Sequence, residues 1–513
     1  MQQKKKACGY EGQDAMLFNS IEFLLFFPIV VVIYFAIPQK LKQLWLLLAS
    51  YYFYMCWNAK YAILILLSTA ITYASGLLME GIKQKKYDAQ KEKKLKNWVV
   101  VLSFASNLSI LFYFKYINFA LSTLGGMLHF AHIELNVPTF DIILPVGISF
   151  YTFQALSYTM DVYRDEVYAE KNFIRYALFV SFFPQLVAGP IERSKNLLRE
   201  LAAPKKFNYD AFIEGTLLML WGYFLKIVIA ERIAAFVDKV YGDYYTYDGV
   251  YLIVATALFA IQIYCDFAGY STIAMGAAKI LGVQLMENFD APYLATSVAE
   301  FWRRWHISLT SWFKDYLYIP MGGSRKGKAR KYLNKIIVFL VSGLWHGAQF
   351  SYIAWGGING LYQVVGEMLQ PVRDKLVNRL GLNRNSLAHK MVCMAGTFLL
   401  VDFSWIFFRA DRFMDALHII KSILSVHNVW ILFDGSLFKC GLDEGNFRLM
   451  LLSIFILFLA DLCKKKRIEI RKVIMQQDQW ARCLILSCSV VLLLVFGKYG
   501  PGYDAAKFIY FQF

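Results

Sequence analysis

Lys335 to Gln370 reads KIIVFLVSGLWHGAQFSYIAWGGINGLYQVVGEMLQ. The run is apolar enough to lie in lipid, yet it carries His346, with Trp345 before it and Gly347 after it. Counted as helix from Ile336 at about 1.5 Å per residue, His346 lies roughly 15 Å deep, near the middle of a hydrocarbon core about 30 Å thick. An ionisable side chain is costly at that depth and as a rule faces a bundle interior or a watered cavity. His346 is therefore the first candidate for a functional site, the plainer alternative being a histidine that bonds a neighbouring helix. Gly343 with Gly347 and Gly356 with Gly360 make two GxxxG pairs, a spacing that lets helix backbones approach closely.

The rest of the chain has the same character. Of 513 residues 58% are hydrophobic and 17% aromatic, and the mean hydropathy is +0.43. With several apolar runs of spanning length, this predicts an all-α, polytopic membrane protein rather than a soluble domain. A net charge of +17 would suit a nucleic-acid binder, but the lysines and arginines cluster in short loops between apolar runs, which is the positive-inside pattern. No nucleic-acid partner is expected. Cysteines such as Cys56, Cys265, Cys393, Cys463, Cys483 and Cys488 are scattered through apolar segments. Neither a metal-binding spacing nor a disulfide framework is indicated, and no metal is expected.

The basic loops orient the spans. Apolar segments near Ile21 to Ile37, Leu41 to Trp57 and Ala62 to Leu78 precede KQKKYDAQKEKKLKN, from Lys83 to Asn97, a block expected in the cytoplasm. Three spans before it put the N-terminus outside. Lys4, Lys5 and Lys6 disagree with that placement, and a start at Met16, with residues 1–15 an over-long polar extension, would reconcile them. Later basic loops run from Ser324 to Lys335, from Arg373 to Lys390 and from Lys464 to Lys472. The segment from Lys335 to Gln370 must then enter and return, with Gly356-Gly357 as its turn, in a thinned or funnelled core. The last span, Leu484 to Phe496, runs outward and leaves YGPGYDAAKFIYFQF outside.

Two more stretches put polar groups among apolar ones. QIYCDFAGYS carries Gln262 and Asp266; Asp266 reads first as the structural partner of a lysine or arginine on a neighbouring helix, and only second as a catalytic group. In EFWRRWHISLTSWFKDYLYIPMGG, Trp302, Trp305, Leu309, Trp312, Phe313 and Tyr316 share one helical face while Arg303, Lys314 and Asp315 lie elsewhere. That distribution predicts an interfacial or re-entrant helix. His306 lies beside the stripe and reads equally as a site residue or as an interface histidine bonded to lipid or backbone.

Taken together, WRRWHIS and SGLWHG, preceded by FPQLVAGPIER and YCDFAGYS, resemble the membrane-bound O-acyltransferase family, in particular its alginate-acetylating bacterial branch, with the D-alanyl transferases of teichoic acid as more distant cousins. The resemblance covers roughly Met16 to Leu369 and the tail. It implies a catalytic core over residues 16–369, a ring of transmembrane helices around a central funnel. Further C-terminal transmembrane helices would occupy residues 370–498, and an extracytoplasmic tail residues 499–513. It also implies an enzyme of the cell membrane that takes an acetyl group from a cytoplasmic thioester, acetyl-coenzyme A, as donor substrate, with no bound cofactor. The acetyl group would pass across the membrane to a partner of the SGNH or serine-esterase type and on to an exopolysaccharide such as alginate. In this resemblance His346 is the essential histidine and His306 the second polar position. Trp305, Trp345, Arg304 and Asp266 would line the site.

The chemistry is sensible: imidazole titrates near neutrality, so His346 can take the proton of an attacking hydroxyl, while His306 orients the acceptor or steadies the oxyanion. Phe508, Tyr510 and Phe513 form an FxYxxF ending like that of the envelope-acylating branch, where the tyrosine is thought to carry the acyl group. A phenol, with a pKa of about 10, is a better leaving group than an alkyl alcohol, which suits a relay; the alternative is an aromatic anchor at the membrane interface. Two other functions compete. A transporter of lipid-linked sugars would also be polytopic with buried polar groups, but internal repeats typical of transporters are not evident. A D-alanyl or lipid acyltransferase would share the motifs and differ in product.

Overall fold

The structure is a computed structural model that describes residues 16–133, 137–187, 189–499 and 509. Among these every regular element is helical. Seven helical segments are long and apolar enough to cross a membrane: Gln39–Gln84, Ala89–Phe130, Tyr209–Gly242, Val250–Ile280, Leu387–Arg409, Glu444–Lys465 and Gln479–Phe496. Many of their apolar side chains are exposed, among them Leu66, Leu102, Leu399, Phe455 and Val495, as expected where lipid is the solvent. The protein is therefore a multi-pass helical membrane protein. Residues 1–15 and Tyr510, on which two of the sequence expectations fall, lie outside the described residues.

The chain divides into two compact units, one built mainly from the chain up to Thr216 with Ala274–Met286, the other from Leu217–Ile273 and most of the chain from Glu287 onward. In the first, Ala62–Gln84 packs against Ala89–Leu111 and Ile148–Tyr163. Lipid gives helices no hydrophobic reason to associate, so buried hydroxyls and amides supply part of the attachment. Ser68 Oγ donates to Asn107 Oδ1 at 2.6 Å, Tyr176 Oη to Thr72 Oγ1 at 2.7 Å, and Ser103 and Thr159 share a bond of 3.2 Å.

The loop before Ser194–Ala202 carries Glu192, which is buried and accepts the Met286 N–H at 2.5 Å. Burial pushes its carboxyl up to about 7 from 4.5, against the pull of that hydrogen bond and of Arg193. Because the folded value is raised, the stabilisation is whole below the unfolded value and is lost as pH rises through the folded one. Wild-type protein is thus expected to lose on the order of 3 kcal/mol between pH 4.5 and pH 8, since a tenfold change in proton affinity is worth about 1.4 kcal/mol. Glu192→Gln should flatten that slope in melting temperature measured against pH. An unchanged slope would remove Glu192 as its source.

In the second unit, the central stretch forms a helical hairpin, Lys328–His346 and Phe350–Met368. Its turn is Gly347 to Gln349 and not Gly356-Gly357 as the sequence implied. The reason is close packing. A Cβ on Gly343 would lie 2.2 Å from the Tyr352 carbonyl oxygen, and one on Gly356 would lie 2.3 Å from that of Phe339. These glycines are needed for the approach of the two helices, as their GxxxG spacing indicated, and Gly347 in extended backbone ends the first limb. At the open end Lys331 and Lys335 both pair with Glu367. His346 is consequently the last residue of a helix and not the midpoint of a continuous one.

Candidate active site

His346 is 4% exposed, and its ring lies 5.0 Å from Trp345, 5.1 Å from Trp355 and 5.2 Å from Phe408, measured between centroids. Both limbs of the hairpin contribute to this box, and Leu387–Arg409 adds Phe408 and Trp405, the latter stacked on Trp355 at 5.8 Å.

His306 reaches the same box from another element. The aromatic-striped segment is not the single helix its periodicity suggested but two short ones, Val298–Arg304 and Ile307–Phe313, broken at Trp305 and His306. His306 adopts the left-handed conformation, φ 42° and ψ 56°, one that histidine enters more readily than most residues. Asn288 holds the break: its carbonyl accepts the Ile307 N–H at 2.9 Å and its Oδ1 the Ser308 N–H at 3.3 Å. Such strain persists where the surroundings over-determine it, and it concentrates at functional sites.

The His306 ring meets Phe267 edge-on at 4.6 Å and Trp345 at 6.0 Å. Trp345 thus touches both histidines. His306 lies outside the seven spanning helices, and burial pushes its imidazole down to about 3. It is neutral at physiological pH.

Of the other anticipated residues, Trp305 is buried between Phe301, Phe289 and Trp405 and joins the aromatic mass behind His306. Arg304 does not turn to the histidines: its guanidinium pairs with Glu300 at 2.9 Å and meets Asp290 at 3.5 Å. Asp266 precedes Phe267 in the chain, but its carboxylate is bound to Lys226 at 2.5 Å, the structural pairing ranked first from the sequence. Trp355, Trp405, Phe408 and Phe267 were not anticipated. WIFFR, residues 405–409, places Trp405 and Phe408 one turn apart, a weak signal because aromatic residues fill much of this chain.

The chain belongs to the membrane-bound O-acyltransferase family, whose family profile, described as MBOAT, membrane-bound O-acyltransferase family, matches residues 51–380. It is 34% identical to the probable alginate O-acetylase AlgI of Pseudomonas putida, over 97% of this chain and 100% of that protein. It is 32% identical to the peptidoglycan O-acetyltransferase of Helicobacter pylori, over 81% of each. A teichoic acid D-alanyltransferase of Bacillus subtilis is 29% identical over 46% of this chain and 61% of its own length. The protein is thus an acyltransferase.

Proposed function

We propose that the protein moves an acetyl group from cytoplasmic acetyl-coenzyme A across the cell membrane for O-acetylation of a cell-surface polysaccharide. The observation that carries this reading is that the ring of Trp345 meets both buried histidines, His346 and His306. His346 takes the proton of an attacking hydroxyl as that oxygen adds to the thioester carbonyl. The tetrahedral intermediate expels the thiolate, which recovers the proton from the imidazolium and leaves as thiol. In a water-poor box the imidazolium and the oxyanion form together and stabilise each other strongly. His306, neutral, is suited to donating a hydrogen bond to that oxyanion.

The attacking hydroxyl is that of Tyr510, whose phenyl acetate stays activated for a second transfer to the serine of an extracytoplasmic SGNH or esterase-type partner. Both termini then lie outside, in keeping with the basic loops inside. At 4% exposure His346 is met by substrate only after one of its aromatic neighbours turns aside. Acetyl is favoured over alanyl because similarity to the O-acetylases runs through most of this chain and similarity to the D-alanyltransferase through less than half.

Proteoliposomes given acetyl-coenzyme A should release free thiol, and the C-terminal peptide from Phe508 to Phe513 should gain the mass of one acetyl group. A chain that binds the thioester without cleaving it, or gains alanine from an alanyl thioester instead, sinks the proposal.

A further inference from the structure

Two charged side chains deep in a spanning pair are costly unless each is fully engaged. Lys226 and Asp266 are 1% and 2% exposed. They face each other because the Tyr209–Gly242 and Val250–Ile280 segments cross at glycines. A Cβ on Gly222 would lie 2.7 Å from the Gly269 carbonyl oxygen, and one on Gly269 would lie 2.8 Å from that of Gly222. At this separation the Lys226 ammonium reaches Asp266 Oδ1 at 2.5 Å and also Glu231 at 2.7 Å. Asp266 has a second partner besides Lys226: its Oδ2 accepts the backbone N–H of Ile509 at 2.9 Å, a residue 243 positions further along the chain and itself buried.

The chain before the tail is held by the neighbouring helix, the one that carries Lys226. Between Phe224 and Ala230 the Tyr209–Gly242 segment widens to π geometry, a local form common at functional sites. There the Ile227 carbonyl accepts the Lys498 N–H at 2.9 Å. Gly497 makes this approach possible, since a Cβ there would lie 2.8 Å from Ile227 Cδ1. Lys498 and Ile509 are thus each held by a backbone hydrogen bond, one to each of two neighbouring helices.

We propose that the Lys226–Asp266 pair is a latch that seats the C-terminal tail, with Asp266 a positioning residue for the acyl transfer. Phe267, the next residue along the helix, carries the edge contact to His306, so the latch and the site share one stretch of backbone. The seating itself stands on geometry alone; its part in the reaction rests on the proposed role of Tyr510, the residue after Ile509.

Limited trypsin digestion of the full-length protein in detergent reads the latch directly, because cleavage after Lys507 frees the hexapeptide FIYFQF, quantified by mass spectrometry against peptides from the Lys83 to Asn97 loop. Wild type and Ile509→Val, which keeps the N–H, should release it slowly. Ile509→Pro, which removes the donor and leaves the buried ion pair whole, should release it about tenfold faster or more, the size expected for losing one hydrogen bond to a charged group. Asp266→Ala should do the same, and Ile509→Pro guards against its failing to fold. Release from Ile509→Pro at the wild-type rate, with an unchanged melting temperature, overturns the latch. Faster release with a comparable fall in polymer acetylation supports both latch and positioning. Faster release with acetylation undiminished supports the seating, overturns the positioning role and counts against Tyr510 as carrier.

Discussion

Replacing His346 by alanine should abolish the proposed polymer acetylation, a loss of about a thousandfold or more, and leave the protein inserted and monodisperse. Positioned general bases contribute roughly a hundredfold to ten-thousandfold, and removal of this one also empties the space where the charge of the transition state develops. Folding should survive because His346 is the last residue of its helix and Gly347 already ends it. The cavity left among Trp345, Trp355 and Phe408 is lined by large rings that can shift toward it. Acetylation assays on membranes normalised for protein content are the measurement. Acetylation retained in His346→Ala removes the imidazole from the mechanism, whatever the melting temperature does.

Gly356→Leu has a different effect, unfolding the hairpin before any chemistry is tested. A side chain at 356 begins 2.3 Å from the Phe339 carbonyl oxygen and 3.4 Å from Gly343 Cα. Both are backbone atoms, so neither can rotate away. The limbs must part along their whole contact, withdrawing Trp355 from His346 and His346 from the box. Overpacking in a tight interior costs about 1–3 kcal/mol; forcing two backbones apart should exceed that range and reduce the yield of folded protein severalfold. Gly366, with open space where a Cβ would go, is the matched control, and Gly366→Ala should be neutral. Equal melting temperatures for Gly356→Ala and Gly366→Ala would show that the close approach carries no weight.

The membrane class, the approach of helices at Gly343 and Gly356, and the burial of His346 were legible because each depends on local quantities: the transfer cost of a run of side chains, a four-residue spacing, one polar group in an apolar stretch. The motifs that resemble the acyltransferase family were local as well. The break at His306 was hidden inside a convincing helical period, since the force that overrides it comes from Asn288, outside that segment. Arg304, which the resemblance offered as a site-lining residue, is held by Glu300 and Asp290, partners that the motif itself does not show.

By itself, then, the sequence determined that this chain is a helical membrane protein with an imidazole set in an apolar, glycine-spaced stretch, because hydropathy and period act over a few turns of one helix. Only the tertiary structure decided where the hairpin turns, that Trp405 and Phe408 wall in His346, and that Asp266 divides its two oxygens between Lys226 and Ile509. Those pairings join residues far apart in the chain, and which of many similar aromatic or charged groups meets which is settled by close packing, which no local pattern encodes.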